Sequence, residues 1–389
     1  MSSREDVLEY HSEKKGKIKV VGKTRLETDR DLELAYTPGV AEPVKEISEN
    51  PENVYKYTSK GELVAIVSDG SSVLGMGESG PEASIPVMEG KSLLMCKMAD
   101  LSGFPLILDE TKTDEIISTV ERLHPMFGFI MLEDIASPKC FRVEDELKDR
   151  LEIPVFHDDQ HGAAVASLAA LNNALDLVEK SLKDVEIVVI GAGAAGIGTA
   201  QLLLDAGAED IKVVDLPGII SPDMDELNWK QKEIAELTNP EGMEGSLEDA
   251  LEGADVMIGL ATGGIVSKKM VESMAEDPIV FALANPDPEI HPEKAKDAGA
   301  KVVATGRSDF PNQVNNSIVF PGIAQGSLNC FAKDINTEMK LKAAERIADM
   351  VEDPRPEKVI PSSLDKEVVE EVAEAVMEGA HETGVCRIH

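Results

Sequence analysis

No stretch of this 389-residue chain approaches the roughly 20 uncharged apolar residues that a membrane-spanning helix needs. The first six residues, Met1 to Asp6, turn acidic at once and contain no apolar core of a secretory signal. Both absences lead to the expectation of a soluble, cytoplasmic protein. Cys96, Cys140, Cys330 and Cys386 form no C-x-x-C pair and no zinc-like spacing. They are expected to be free thiols, mostly buried, in a reducing compartment. Basic residues are scarce: 38 Lys and Arg stand against 73 Asp and Glu, a net charge of −35. That balance argues against a nucleic-acid partner, because binding a polyanion needs clustered lysine and arginine. There is no internal repeat and no low-complexity tract.

The 42% hydrophobic content can fill large cores, and the length suits two domains. In the first part of the chain, LVAIVSDG (63–70), FPLILDE (104–110), FGFIMLED (127–134) and IPVFHDD (153–159) repeat one design. Each is a short apolar run that ends in carboxylates or Asp-Gly. Helical patterns lie between them, over 114–123 and 144–151, so parallel βα units are expected. Pro38-Gly39 marks a turn and puts Tyr36 on a loop or helix end. From Gly162 a long apolar helix is expected to lead into a second series of strands at 185–190, 211–215, 254–260, 278–285 and 300–305. Near-continuous hydrophobic runs of this kind suit fully buried parallel strands. Two amphipathic helices follow, near 336–351 and 365–379. The second carries the stripe Val368, Val369, Val372, Val376 and Met377.

Gly191-Ala192-Gly193-Ala194-Ala195-Gly196 directly follows a six-residue apolar strand and opens a helix. In that setting the first glycine permits a tight turn and the second lets the backbone approach a pyrophosphate. The third allows close helix–strand packing, and the helix N-terminus offers N–H donors to the anion. Asp215 ends the next strand about 20 residues on, where an acid accepts from ribose hydroxyls. A dinucleotide is therefore expected at Gly191, Gly193, Ala194, Ala195, Gly196 and Asp215. Asp215 favours NAD over NADP, because its charge opposes a 2′-phosphate. Leu216, Pro217 and Gly218 offer no cation to offset it, and Lys212 lies inside the strand.

Glu133-Asp134 and Asp158-Asp159 each close an apolar strand, and strand C-terminal ends meet at the ligand crevice of a parallel sheet. Four carboxylates in one cleft repel unless a cation sits among them, and an all-oxygen set suits Mg²⁺ or Mn²⁺. Ordinary acidic loop residues are the alternative in so acidic a chain. His157 and His161 flank the second pair and read as hydrogen-bonding supports rather than ligands.

Along nearly its whole length the sequence closely resembles the small prokaryotic malic enzymes. The matching stretches are LAYTPGVA (34–41), VSDGSSVLGMG (67–77), PVMEGK (86–91), LEDIASP (132–138), FHDDQHGAA (156–164), GAGAAGIG (191–198), ANPDPEI (284–290) and SDFPNQVNNSIVFPG (308–322). The resemblance implies an α/β protein with three parts. They are a parallel-sheet substrate and metal domain (1–161), a Rossmann-type NAD(P)-binding domain (162–325) and C-terminal helices (326–389). The helices would pack on the body or on a dimer partner.

It implies oxidative decarboxylation of L-malate to pyruvate and CO2 with NAD or NADP and Mg²⁺ or Mn²⁺, in a homodimer or larger homo-oligomer. By motif, Tyr36 and Lys91 match the catalytic tyrosine and lysine. Glu133, Asp134 and Asp159 match the metal ligands, and Asp158 an additional active-site acid. Asn285 and Asn316 match residues that contact malate, Asn285 beside the cofactor as well. A lysine with a lowered pKa can take the hydroxyl proton before hydride leaves C2, and Tyr36 is suited to protonate C3.

The sequence departs from the wider family in two places. No basic residue stands over 67–90, where the eukaryotic branch has a substrate-binding arginine, so malate's carboxylate is expected to meet the glycine-rich segment's N–H groups or Arg307. Glu78-Ser79 stands where related small enzymes often have Asn and an aliphatic residue. Malolactic conversion to lactate with retained NAD and nucleotide-free oxaloacetate decarboxylation are the alternative activities. A non-catalytic NAD-binding regulator is disfavoured, because the tyrosine, lysine and carboxylates are all present.

The acids are spread along the whole chain rather than gathered in a tail. This reads as a solvated acidic surface of the kind that halophiles use in a salt-rich cytoplasm. The melting temperature is therefore expected to climb as KCl is raised from about 0.1 M to about 2 M, because salt screens the self-repulsion. Full folding and activity at low ionic strength, followed by circular dichroism and turnover, would contradict it.

Overall fold

The computed structural model describes residues 3–14, 16–73, 77, 79–109 and 112–387. Its first sheet contains β1 (Leu63–Ser68), β2 (Ser102–Ile107), β3 (Phe129–Leu132) and β4 (Val155–His157). They run parallel in the order β2-β1-β3-β4. β1 and β3 are central, and every residue from Val64 to Val67 and from Phe129 to Leu132 is buried. A strand covered on both faces has no use for alternation, hence the unbroken apolar runs.

The second sheet contains β5 (Glu186–Ile190), β6 (Asp210–Asp215), β7 (Gly218–Ile219), β8 (Val256–Gly259), β9 (Ile279–Ala282) and β10 (Val302–Thr305). The order is β10-β9-β8-β5-β6-β7, parallel except for β7, which pairs antiparallel with β6. The chain leaves β5 towards β6 and later returns to its other side at β8. That reversal opens a crevice beyond the carboxyl ends of β5 and β8. β7 is a two-residue edge strand too short to leave a pattern in the sequence.

The helix Asp158–Leu177 follows β4 without a gap, four residues before the expected start at Gly162. Asp158 and Asp159 occupy its first turn, where the positive end of the helix dipole favours carboxylates. The helix Lys139–Arg150 likewise starts five residues before the expected 144. The C-terminal helices are Thr337–Asp349 and Lys366–Glu382. Val368, Val369, Val372 and Val376 are buried in the protein's own core, and Met377 packs against it.

One continuous apolar core joins the first sheet, the helix Asp158–Leu177, one face of the second sheet and the C-terminal helices. A smaller cluster fills the other face of the second sheet. Asn173 ties the long helix to the C-terminal region, donating to Ala348 O at 2.9 Å and Val359 O at 3.0 Å. The N-terminal arm differs from the rest. Its helices Arg4–Lys14, Asp29–Ala35 and Ala41–Glu49 contain no buried residue. Val20, Val21, Leu26, Leu34, Tyr36 and Val44 of this arm are exposed. Among the described residues no helix is long and apolar enough to cross a membrane, and none of the four cysteines is in a disulfide, three of them being buried.

Candidate functional site

Lys91 reaches the interior because it shares a helical stripe with Ser84, Met88, Ser92 and Met95, the buried face of the helix Pro81–Met98. Its ammonium pairs with Glu133 Oε1 at 2.9 Å and closely with Asp158 Oδ2, above the Phe320 ring at 4.6 Å. Glu133 and Asp134 leave the end of β3, and Asp158 and Asp159 open the helix after β4. Pairing of these neighbouring strands therefore brings both acid pairs together. Single oxygens of Glu133, Asp134 and Asp159 lie within 4.8 Å of one another. The Asp134 backbone N–H donates to Asp159 Oδ2 at 2.9 Å.

Burial, reinforced by the Asp159 charge, pushes the Glu133 carboxyl well above its ordinary range despite Lys91. Burial also raises Asp158, against the pull of Lys91. Burial acts on Asp159 in the same sense, but His157 and Lys91 outweigh it and hold Asp159 below its ordinary value. Among the described residues, buried Glu133 Oε2 and Asp158 Oδ1 have no hydrogen-bond partner. Crowded, oxygen-only, partly orphaned carboxylates are the donor set that a hard divalent cation fits. Lys91 differs from the lowered pKa expected from the sequence. Burial alone would lower it, but Asp158, Glu133 and Asp159 together raise it, so the protein's own groups keep the ammonium charged.

The nucleotide turn is built as its spacing requires. Gly191 has φ +104°, a left-handed conformation open to glycine. A Cβ on Gly196 would stand 1.7 Å from Gly191 O, whereas a Cβ on Gly193 would meet nothing within 4 Å. The turn leads into the helix Ala194–Asp205, whose N-terminal N–H groups are free to receive an anion. Asp215 lies beside it at the end of β6, accepting from Ala192 N at 3.3 Å and Gln231 Nε2 at 3.3 Å. Lys212 points elsewhere, onto Glu186.

One cavity of ≈ 530 Å³ joins the two features. Its wall includes Lys91, Glu133, Asp134 and Asp159 on one side, and Gly193, Ala194, Ala195, Asn285 and Asn316 on the other. Asp158 lies behind it against Lys91, and Gly191 and Gly196 form the turn beneath. Two expected residues are not brought in. Tyr36, which ends the helix Asp29–Ala35, is 66% exposed and forms no part of the wall. Arg307 is held by Asp309 and by Pro286 O at 2.9 Å, away from the lining. Of the glycine-rich segment, Leu74, Gly75, Met76 and Glu78 lie outside the described residues, as does Glu110.

Other residues shape the cavity without having been singled out. Phe320 lies in the wall under Lys91. Glu289 is fully buried and accepts from Ala261 N at 3.0 Å and Ala284 N at 3.1 Å, tying together two loops of the wall. Both stand inside motifs quoted above, but a phenylalanine and one more acid carry no chemical signal of their own.

Two family models cover most of the chain: "Malic enzyme, N-terminal domain" matches residues 15–148 and "Malic enzyme, NAD binding domain" matches residues 160–381. The chain belongs to the malic enzyme family. It is 49% identical to the bifunctional malic/malolactic enzyme of Bacillus subtilis, over 100% of this chain and 95% of that protein. It is 50% identical to the NAD-dependent malic enzyme of Geobacillus stearothermophilus, over 96% of this chain and 78% of that one. The crystal structure of malic enzyme from Pyrococcus horikoshii superposes with a TM-score of 0.94 at 46% identity, covering 99% of this chain and 92% of that chain. Malic-enzyme membership accounts for the pairing of a Rossmann-type half with a carboxylate-lined half.

The glycines separate a packing role from a binding role. Gly196→Ala is expected to cost about 1–3 kcal/mol of stability through overpacking against Gly191 O. Gly193→Ala should leave the melting temperature unchanged but weaken NADH binding at least about tenfold, because its methyl enters the space the pyrophosphate needs. Thermal melts and NADH fluorescence titration check the pair.

Proposed function

We propose that the protein oxidises L-malate with NAD(P) and decarboxylates the product to pyruvate and CO2. The single cavity that places Lys91 and three convergent carboxylates opposite the glycine turn supports this reading most directly. Glu133, Asp134 and Asp159 would hold a divalent cation, Mg²⁺ or Mn²⁺. Bound there, the cation would supply the positive charge that acidifies the malate hydroxyl and polarises the ketone from which CO2 leaves. Lys91, in its neutral form, would take the hydroxyl proton as hydride passes to the nicotinamide. Asp158 is positioned to receive that proton from Lys91. Asn285 and Asn316 offer amide groups to malate from the opposite wall. Asp215, with no cation offered by Leu216, Pro217 or Gly218 to offset it, favours NAD.

Tyr36 supplies the proton to C3 only if it reaches a cavity, and its own chain keeps it outside. The exposed apolar arm that carries it suits a second copy of the chain. We therefore place the protein as a cytoplasmic homodimer in which each arm lies against its partner. A mixture of Tyr36→Phe and Lys91→Ala chains, each nearly inactive alone, should then recover up to about a quarter of wild-type activity. Half of the randomly paired dimers would carry one intact site. No recovery after reassociation rules out delivery of Tyr36 across the interface.

The similarity to the bifunctional malic/malolactic enzyme of Bacillus subtilis favours malolactic conversion as the second reading. Malate, Mn²⁺ and either NAD or NADP at high KCl separate the two. Pyruvate with equivalent reduced cofactor is expected; lactate without reduced cofactor would establish the malolactic route. In that assay Lys91→Ala should lower kcat by about 10²–10⁴-fold, and Asp159→Ala should raise the Mn²⁺ needed for half-activity. Near-normal turnover in Lys91→Ala would refute the base assignment.

A further inference from the structure

A buried chain of hydrogen bonds leads away from Asp159, and the chemistry above does not use it. Glu144, on the helix Lys139–Arg150, accepts from the His157 backbone N–H at 3.0 Å, Gln160 Nε2 at 2.8 Å and His161 Nε2 at 2.9 Å. Gln160 Nε2 also stands 2.9 Å from His157 Nδ1. His157 Nε2, fully buried and without a hydrogen-bond partner among the described residues, lies 3.2 Å from Asp159 Oδ2. Glu144, Gln160 and His157 are all buried, so water does not compete for these groups.

The donor sense of the chain follows from its far end. An ionised carboxylate only accepts, so Glu144 forces the NH2 end of the Gln160 amide towards itself. The second hydrogen of that NH2 faces His157 Nδ1, which must therefore present a lone pair. A neutral imidazole with its lone pair on Nδ1 carries its proton on Nε2. That N–H faces Asp159, whose side chain is 29% exposed, opens a helix and is held besides by the Asp134 backbone N–H.

We propose that Glu144, Gln160 and His157 form a positioning relay that fixes the Nε2–H tautomer of His157 and so the orientation of Asp159 as a ligand for the divalent cation. The relay rests on the metal-binding reading of Glu133, Asp134 and Asp159. Partners behind a ligand typically change metal affinity by about 10–100-fold. His161 bonds the same carboxylate from the other side and contacts Lys340 Nζ at 3.3 Å, so it braces Glu144 rather than continuing the chain.

The test uses metal-stripped full-length enzyme, with Mn²⁺ affinity read from the electron paramagnetic resonance of the free ion. Gln160→Met and His157→Phe should each weaken Mn²⁺ binding by about 10–100-fold. His157→Gln, which keeps an N–H near the Nε2 position, should restore most of the affinity. Nitrogen-15 spectra of the metal-free protein should show His157 as the Nε2–H tautomer, turning into a mixture in Gln160→Met. Should His157→Phe fail to fold, Gln160→Met decides, with its melting temperature measured in chelator. Wild-type affinity in a folded Gln160→Met or His157→Phe overturns the relay. So does a His157→Gln as weak as the Phe variant, or an Nδ1–H tautomer in the wild type. A wild-type protein that binds no Mn²⁺ at all overturns the metal reading itself, and the nitrogen-15 spectra still report the relay's internal hydrogen bonds separately.

Discussion

Glu133, Asp134, Asp158 and Asp159 crowd one end of a largely apolar interior, where like charges about 4 Å apart repel by about 4 kcal/mol per pair at an effective dielectric of 20. Among the described residues the ammonium of Lys91 pairs with two of them, Glu133 and Asp158. One positive charge cannot balance four negative ones, and much of the surrounding structure works against the remainder. The strand ends bring the acids together, the helix dipole at Asp158 favours them, and the backbone N–H of Asp134 and the His157 ring steady Asp159. A residual negative charge held in place by rigid elements is what the proposed divalent cation would offset.

The same constraint explains why the two sheets share a cavity. A cation and a lysine can activate a hydroxyl, but removing hydride needs an acceptor next to that carbon. The switch point of the second sheet puts Gly193 and the following helix N-terminus across from Lys91, and the Glu289 carboxylate clamps two intervening loops. Ionisable groups sit on one wall and backbone donors on the other, so neither half holds the reacting pair alone.

Much of this was legible in the sequence, for identifiable reasons. Buried parallel strands write continuous apolar runs, and carboxylates at their ends announce themselves by contrast, as in FIMLED and VFHDD. The glycine turn was legible because each glycine answers a different steric demand. Other features left weaker traces. Glu144 looked like one more acid on an amphipathic helix, since burial and three donors are properties of packing. The protonation of Lys91 depends on which carboxylates surround it in space, and the expectation of a lowered pKa had no access to their arrangement. Tyr36 is marked by its motif and Arg307 by the lack of a basic residue over 67–90, and neither signal carries the distance to the cavity.

The long helix Asp158–Leu177 belongs to the core of both halves of the molecule. Its first turn carries Asp159, and its C-terminal part is anchored through Asn173 to the C-terminal segment. Prying the two sheets apart as rigid bodies would expose that seam of valine, leucine and alanine to water, at about 25 cal/mol per Å². The seam therefore holds the first turn of the long helix, with Asp159, in register with the glycine turn that opens the neighbouring helix Ala194–Asp205, whose Gly198 lies directly against Gln160.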